Sequence, residues 1–437
     1  MDKFVVRGGA RLSGTVKING SKNAALPIMA ACILGEGPSI IENVPRLRDV
    51  NTMLDILADL GVQGEHRDDG SLCLEPIDTA PIKAGYKKVS TMRGSICVLG
   101  PLLARRRKAV VSLPGGCVIG VRPIDLHIKG LRELGADITI ERGYVTAQAD
   151  RLTGAEIYLG GAFGPSVLAT ANVMMAATLA RGETIIDCAA CEPEIADLAA
   201  FLNGMGARIT GAGSPTMRIE GVEGLGRTTH RLVPDRIEAG TFMMAAAATG
   251  GDVIIENACP AHLGAVIDRL RQIGVTVERA DGSLRVSGAP PFRSTDLTAL
   301  PYPGLPTDLQ AQMLALLTLA NGISVVTEKV FPDRFMHVAE LNRMGAAIRK
   351  EGSSAIIRGV VQLSGSHVMA SDLRASAALV IAGLVADGET EIHRVYHIDR
   401  GYERIEERLN DLGAGITRTQ DKDEEAMTDY KLQMING

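Results

Sequence analysis

Leu134-Gly135-Ala136-Asp137-Ile138-Thr139-Ile140 is the stretch on which the fold turns. An amphipathic helical pattern runs into Leu134, and a short alternating pattern follows Ala136. The glycine between them is a helix stop signal, because the left-handed conformation that closes a helix is strain-free for glycine. The same signature recurs at Leu60-Gly61-Val62, Met205-Gly206-Ala207, Ile273-Gly274-Val275, Met344-Gly345-Ala346 and Leu412-Gly413-Ala414. Successive glycines lie 68 to 74 residues apart. Six copies of one supersecondary unit are therefore expected.

Each unit also holds an earlier helical pattern, at 21–34, 91–104, 167–180, 237–249, 307–321 and 372–386. These stretches are rich in Ala, Met and Leu nearly all round, which marks a buried helix. β-Branched runs follow most of them, such as Thr184-Ile185-Ile186 and Val253-Ile254-Ile255. Each unit thus reads as buried helix, strand, amphipathic helix, then one or more strands, with right-handed crossovers. Units of this size rarely stand alone. Packing in threes predicts an α/β protein with two domains, 22–232 and 1–21 plus 233–418. The cut falls near the Gly/Thr-rich stretch 224–233. The first 21 residues are expected to complete the second domain and tie the two together. Residues 419–437, with Asp421-Lys422-Asp423-Glu424-Glu425, are expected to form a loosely attached acidic tail.

Composition narrows the function. The chain has 437 residues, a net charge of −5, 46% hydrophobic residues and 3% aromatics with no Trp. High apolar content and low net charge exclude a disordered chain. A mildly acidic chain with few rings is poorly suited to general nucleic-acid binding. The apolar run 375–386 is too short to span a bilayer. Met1-Asp2-Lys3-Phe4 carries no signal pattern, so a cytoplasmic location is expected. Seven cysteines, an odd number, argue against a disulfide framework. Cys188-Ala189-Ala190-Cys191 lacks a second ligand pair for zinc, leaving structural thiols or a weak redox pair. No metal or organic cofactor is expected.

Chemistry gathers where the six apolar helices begin. Those starts read Gly20-Ser21-Lys22-Asn23, Ser90-Thr91-Met92-Arg93, Gly164-Pro165-Ser166, Pro234-Asp235-Arg236, Pro306-Thr307-Asp308 and Ser371-Asp372-Leu373-Arg374. Repeat symmetry would bring the equivalent ends of three helices together in each domain. Free backbone N–H groups and the positive dipole ends then favour an anion. Lys22, Arg93, Arg236 and Arg374 oppose those dipoles, a cost that an anionic ligand would offset. Ordinary caps with solvated bases are the alternative. No P-loop or GxGxxG signature is present. Leu113-Pro114-Gly115-Gly116-Cys117-Val118-Ile119-Gly120-Val121-Arg122-Pro123 sets a cysteine in a glycine-rich loop. Arg122 would lower its thiol pKa and make it a nucleophile or proton donor; a small inert side chain is the alternative. Asp308, at the mouth of a buried helix, is either a cap or a general base. Arg334, Arg374 and Arg400 each follow an Asp by one or two residues, which would orient the guanidinium for carboxylate or phosphate. His127 alone reads as structural.

These motifs resemble a known family. Gly20-Ser21-Lys22-Asn23-Ala24-Ala25-Leu26-Pro27, the Pro-Gly-Gly-Cys loop with Arg122-Pro123-Ile124-Asp125-Leu126-His127, Pro306-Thr307-Asp308-Leu309-Gln310-Ala311-Gln312 and His397-Ile398-Asp399-Arg400-Gly401-Tyr402 are similar to the UDP-N-acetylglucosamine enolpyruvyl transferases. The resemblance spans about residues 3 to 418. It implies two inside-out α/β barrel domains of three repeats each, the enolpyruvyl transferase fold. It implies transfer of the enolpyruvyl group of phosphoenolpyruvate to the 3′-hydroxyl of UDP-N-acetylglucosamine, with release of phosphate, in cytoplasmic peptidoglycan synthesis. Lys22, Asn23, Arg122, Arg334, Arg374 and Arg400 would hold phosphoenolpyruvate. Cys117 would protonate the methylene carbon and be the residue alkylated by fosfomycin. Asp308 would take the proton of the sugar hydroxyl, with Lys22 and Arg400 also catalytic. Arg93, Arg122, Pro123, Ile124, Asp125, Leu126, Ser166, Val167, Asp308 and Val330 would contact the sugar nucleotide. Some members carry Lys where this chain has Gly164. The 5-enolpyruvylshikimate-3-phosphate synthases share the architecture but lack the loop cysteine. A non-catalytic sugar-nucleotide sensor would be free to lose Lys22, Cys117, Asp308 and Arg400.

Overall fold

The computed structural model describes residues 2–115 and 123–420. Six apolar helices form its interior: α1 (Lys22–Ala31), α2 (Leu99–Arg106), α3 (Val167–Ala177), α4 (Arg236–Ala248), α5 (Gln310–Leu317) and α6 (Leu373–Val385). In α4, α5 and α6 all but the last residue of α6 is buried, because Ala, Met and Leu close-pack in every direction. These three pack on one another; α3 packs against both α1 and α2.

Six four-stranded sheets lie outside the helices. The fifth shows the common plan. Leu297–Ala299 runs parallel to Ile323–Glu328, which pairs antiparallel with Ser354–Arg358, and Ala347–Glu351 closes the hairpin. Each sheet turns its apolar face inward and its charged face outward, as period-two alternation requires. The six signature glycines all adopt positive φ, between 74° and 106°, at the end of the amphipathic helices.

The chain's start completes sheets formed late in the sequence. Asp2–Arg7 lies between Glu389–His393 and Gly415–Gln420, antiparallel to both. Ser13–Lys17 runs parallel to Asp252–Glu256. Thr229–Arg231 returns to run parallel to Ser39–Glu42. Two apolar cores result. One unites Phe4, Val6, Leu12, Val16 and Ile18 with residues 237–416. The other lies within residues 24–232. The two connecting segments run side by side: Gly20 bridges Pro234, Ser21 N–H donates to Val233 O (2.8 Å), and Asp235 N–H donates to Asn19 O (2.9 Å). A Cβ on Gly20 would sit 2.0 Å from Asn43 O, so only glycine fits the crossing.

Several details depart from the expected pattern. The second and fifth apolar helices open as 3₁₀ turns, Arg93–Val98 and Thr307–Leu309. The fifth stops at Leu317, not 321, because Ala320–Asn321 pairs with Phe292–Arg293. Thr419 and Gln420, expected in the tail, belong to the last strand and pair with Lys3 and Asp2. Residues 421–437 lie outside the described residues.

Candidate active site

Three of the four basic residues at the helix starts are not solvated, while Arg93 is half-buried. Lys22, Arg236 and Arg374 are buried, Arg374 with 1% of its surface exposed. Burying a cation beside a positive dipole end is unfavourable unless carboxylates face it. They do. Lys22 Nζ lies 2.6 Å from Asp49 Oδ2. Arg236 grips Glu194 with two bonds, of 3.0 and 3.2 Å. Arg374 Nη2 donates to Asp308 Oδ2 at 3.2 Å.

Asp308 is a meeting point. Arg334 Nη1 donates to its Oδ1 at 2.8 Å and also to Thr307 Oγ1 at 3.1 Å. Asn23 Nδ2 reaches Oδ2 at 3.4 Å from the other core. Burial pushes the Asp308 carboxyl up, but Arg374, Arg334 and Lys22 outweigh burial and hold it well below the usual carboxylate range. Asp49 is a second meeting point. It accepts from Arg400 Nε at 2.9 Å while paired with Lys22. Burial opposes its charge, yet Lys22 and Arg400 hold its carboxyl below the usual range. Two ionised carboxylates thus collect Lys22, Asn23, Arg334, Arg374 and Arg400 into one cluster spanning both cores.

Arg374 also has two buried donors, Nε and Nη1, with no hydrogen-bond partner among the described residues. An unsatisfied buried guanidinium donor is costly, so this geometry suits an incoming anion. Beneath it, the Arg374 guanidinium stacks 5.2 Å from the Tyr402 ring. Thr241 Oγ1 lies 2.8 Å from Tyr402 Oη, and Gln312 Nε2 donates to the same oxygen at 3.1 Å. These buried bonds fix the ring on which Arg374 rests.

The nearest-Asp expectation for the three arginines fails. Asp372 caps α6, accepting from the Arg374 and Ala375 N–H groups, while the Arg374 side chain goes to Asp308. Asp333 lies beside Lys350, and Asp399 holds Arg418. Sequence neighbours point to different faces, so the partners come from other elements. Cys188 and Cys191 are free thiols, and burial together with Glu192 and Cys188 raises the Cys191 pKa, which disfavours a thiolate.

Arg93 Nη1 donates to Pro114 O (3.5 Å) and Nη2 to Pro123 O (3.2 Å), bracketing the glycine-rich loop. Cys117 and Arg122 lie outside the described residues. Ile124 precedes and Asp125 and Leu126 begin the helix Asp125–Glu133. Ser166 caps α3 through the Ala169 N–H, with Val167 its first residue. Val330 N–H donates to Glu328 Oε1 at 2.7 Å. Gly164 has φ +89°, so a Lys there would be strained.

Asp49 and Glu328 were not singled out in the sequence. Asp49 shares the buried stripe of its helix with Met53 and Ile56, an i, i+4, i+7 pattern into which a carboxylate intrudes. Glu328 is in phase with the inward Ser324 and Val326. It accepts from Thr307 Oγ1 at 2.8 Å and so steadies the Asp308 turn.

His127 is buried and accepts from Asn172 Nδ2 at Nδ1 (2.9 Å). Burial, with Arg93, pushes its pKa down to about 3. An unfolded imidazole titrates near about 6.5. Between those values the unfolded chain binds more protons, so stability falls as pH drops, by up to about 1.4 kcal/mol per unit. His337, pushed to about 4 by burial, acts in the same direction. Urea midpoints at pH 7.5 and pH 5 should therefore show an acid loss that is shallower in His127→Gln. Equal slopes would contradict the assignment.

The family model for EPSP synthase (3-phosphoshikimate 1-carboxyvinyltransferase) matches residues 6–409. A UDP-N-acetylglucosamine 1-carboxyvinyltransferase from Desulforapulum autotrophicum is 55% identical over 96% of this chain and 100% of its own length. One from Caldanaerobacter subterraneus subsp. tengcongensis is 54% identical over 95% of this chain and 99% of its own. The chain belongs to the UDP-N-acetylglucosamine 1-carboxyvinyltransferase family. Solved structures share the fold. The enolpyruvyl transferase NikO from Streptomyces tendae aligns with TM-score 0.86 at 24% identity, covering 96% of this chain and 99% of that one. EPSP synthase from Acinetobacter baumannii aligns with TM-score 0.74 at 23% identity, covering 96% and 100%. The fold is therefore the α/β enolpyruvyl transferase fold. Among the described residues no helix is long and apolar enough to cross a membrane.

Proposed function

We propose that this chain transfers the enolpyruvyl group of phosphoenolpyruvate to the 3′-hydroxyl of UDP-N-acetylglucosamine, releasing phosphate in the first committed step of peptidoglycan synthesis, a cytoplasmic reaction. Identity above half to curated relatives of that name, over nearly the whole chain, carries the reading. The cationic cluster supports it chemically.

Lys22, Arg122, Arg334, Arg374 and Arg400 hold the phosphate and carboxylate of the donor, with Asn23 beside them. The unpartnered Arg374 Nε and Nη1 suit this task. Cys117 delivers a proton to the methylene carbon, leaving positive character at the adjacent carbon. The 3′-hydroxyl oxygen bonds to that carbon while Asp308 takes the hydroxyl proton. A tetrahedral adduct results. Its collapse breaks the carbon–oxygen bond to phosphate, returns a methyl proton to a base, and restores the double bond. The bound donor neutralises the cations around Asp308, which raises its basicity when the acceptor is in place. Arg93, the 122–126 segment, Ser166, Val167 and Val330 contact the sugar nucleotide. Residues 22–232 and 1–21 plus 233–418 act as two domains that close over both substrates and exclude water.

Phosphate release from phosphoenolpyruvate tests the reading, with UDP-N-acetylglucosamine in one reaction and shikimate 3-phosphate in another. Release only with the sugar nucleotide is expected. Release only with shikimate 3-phosphate would move the chain to the sister activity. Release with neither, while the sugar nucleotide still binds, would make it a sensor.

A further inference from the structure

The outer face of the sheet completed by the chain's start carries a cluster that the transfer reaction does not use. Phe4, Val368 and Ile392 are buried beneath this sheet. Strand alternation therefore turns Lys3, His367, Glu391 and His393 to the opposite, solvent-facing side. His367 stands directly across from Glu391 in the parallel pair His367–Met369 and Glu389–His393, and His393 is two residues further along. His367 Nδ1 lies 3.4 Å and His393 Nε2 3.9 Å from the same carboxylate oxygen, Glu391 Oε2. One ligand atom from each of the three falls within 4.8 Å of the others. The two imidazoles stack, with centroids 6.0 Å apart and planes 24° from parallel, so both rings border the carboxylate.

We propose that His367, Glu391 and His393 form a binding site for a borderline divalent transition cation of the zinc type. Two imidazole nitrogens and one carboxylate are the donor set such ions select, with water completing the tetrahedron. Bonds of about 2.1 Å to a tetrahedral ion set neighbouring ligand atoms about 3.4 Å apart. One pair already meets that spacing, and modest side-chain rotation supplies the rest. Lys3 is the built-in competitor. Its ammonium sits 2.5 Å from the same Glu391 oxygen, and this bond, more than any other contact, holds the carboxyl below its usual range. The ion and the ammonium cannot share that position, so binding must release Lys3. His393 ends the strand that leads through Arg394 into the turn Val395–Arg400, so the ion would also pin the base of the turn carrying Arg400.

Titration calorimetry with zinc sulfate tests this on the full-length wild type, His367→Ala, His393→Ala and Lys3→Met. Background binding by the seven cysteines is common to all four proteins. One zinc per chain is expected to be weakened at least about tenfold in each histidine variant and tightened several-fold in Lys3→Met. The wild type and Lys3→Met should also gain thermal midpoint with zinc, and the histidine variants should not. Lys3→Met needs no ligand removed, so it tests the site even if a histidine variant folds poorly. Unchanged affinity in both histidine variants, or weaker binding in Lys3→Met, would overturn the proposal.

Discussion

Asp308→Asn is expected to cut phosphate release by about 10² to 10⁴-fold, the range typical of losing a positioned general base. UDP-N-acetylglucosamine affinity should change far less. The reason lies in what the side chain touches. Asp308 is ionised because Arg334 at 2.8 Å and Arg374 at 3.2 Å outweigh the cost of its burial. The amide keeps the shape, and its single carbonyl oxygen can still accept from one of the two guanidiniums, which donate to different oxygens of the carboxylate, so folding and sugar-nucleotide binding survive. It cannot take a proton. Removing one negative charge also leaves the two arginines a stronger anion trap, so the KM for phosphoenolpyruvate should hold or fall while kcat collapses. This split separates a base from a structural cap, whose loss would lower thermal stability and spare kcat. Because the Asp308 carboxyl of the free enzyme is held well below the usual range, its own protonation should not limit kcat/KM anywhere from pH 5 to 8. Single-turnover phosphate release by the variant at a near-normal rate would remove Asp308 from this role.

Much of the architecture was legible because glycine is constrained by sterics. Each of the six signature glycines takes a positive φ that other residues reach only with strain, so the repeat survives in sequence. The all-round apolar helices were equally plain. Their exact ends were not. The 3₁₀ start at Thr307 follows from Glu328 and Arg334 pulling on Thr307 Oγ1, contacts made 21 and 27 residues away. The site was legible as residue types but not as pairings. Lys22, Asp308, Arg374 and Arg400 stood out through their motifs. Asp49 did not, because an acidic residue in a helix's first turn is ordinary. Its importance arises from Arg400, 351 positions away, and no local pattern encodes that contact. The same applies to Glu194, since no local pattern pairs it with Arg236, 42 positions away.

Lys22→Met should lower kcat/KM for phosphoenolpyruvate by about 10² to 10⁴-fold, because two effects of about 1.5–3 kcal/mol each add. The first is the lost charge-assisted contact to the donor anion. The second is Asp49. In the wild type its carboxylate is shared between Lys22 at 2.6 Å and Arg400 at 2.9 Å. Without Lys22 a buried carboxylate (2% exposed) retains Arg400 for itself and repels the incoming anion. A second substitution separates the two effects. Asp49→Asn in the Lys22→Met background removes the repulsion and frees Arg400, so it should restore about tenfold of the lost activity. Asp49→Asn alone should do the reverse and lower activity, since Lys22 and Arg400 lose the group that orients both. A substitution that harms the wild type and helps the Lys22 variant requires the three side chains to act as one unit. Steady-state kcat/KM for phosphoenolpyruvate on the four proteins, at saturating UDP-N-acetylglucosamine, reads the cycle directly. A double variant no better than Lys22→Met would mean that Asp49 braces its helix and does not shape the field at the donor.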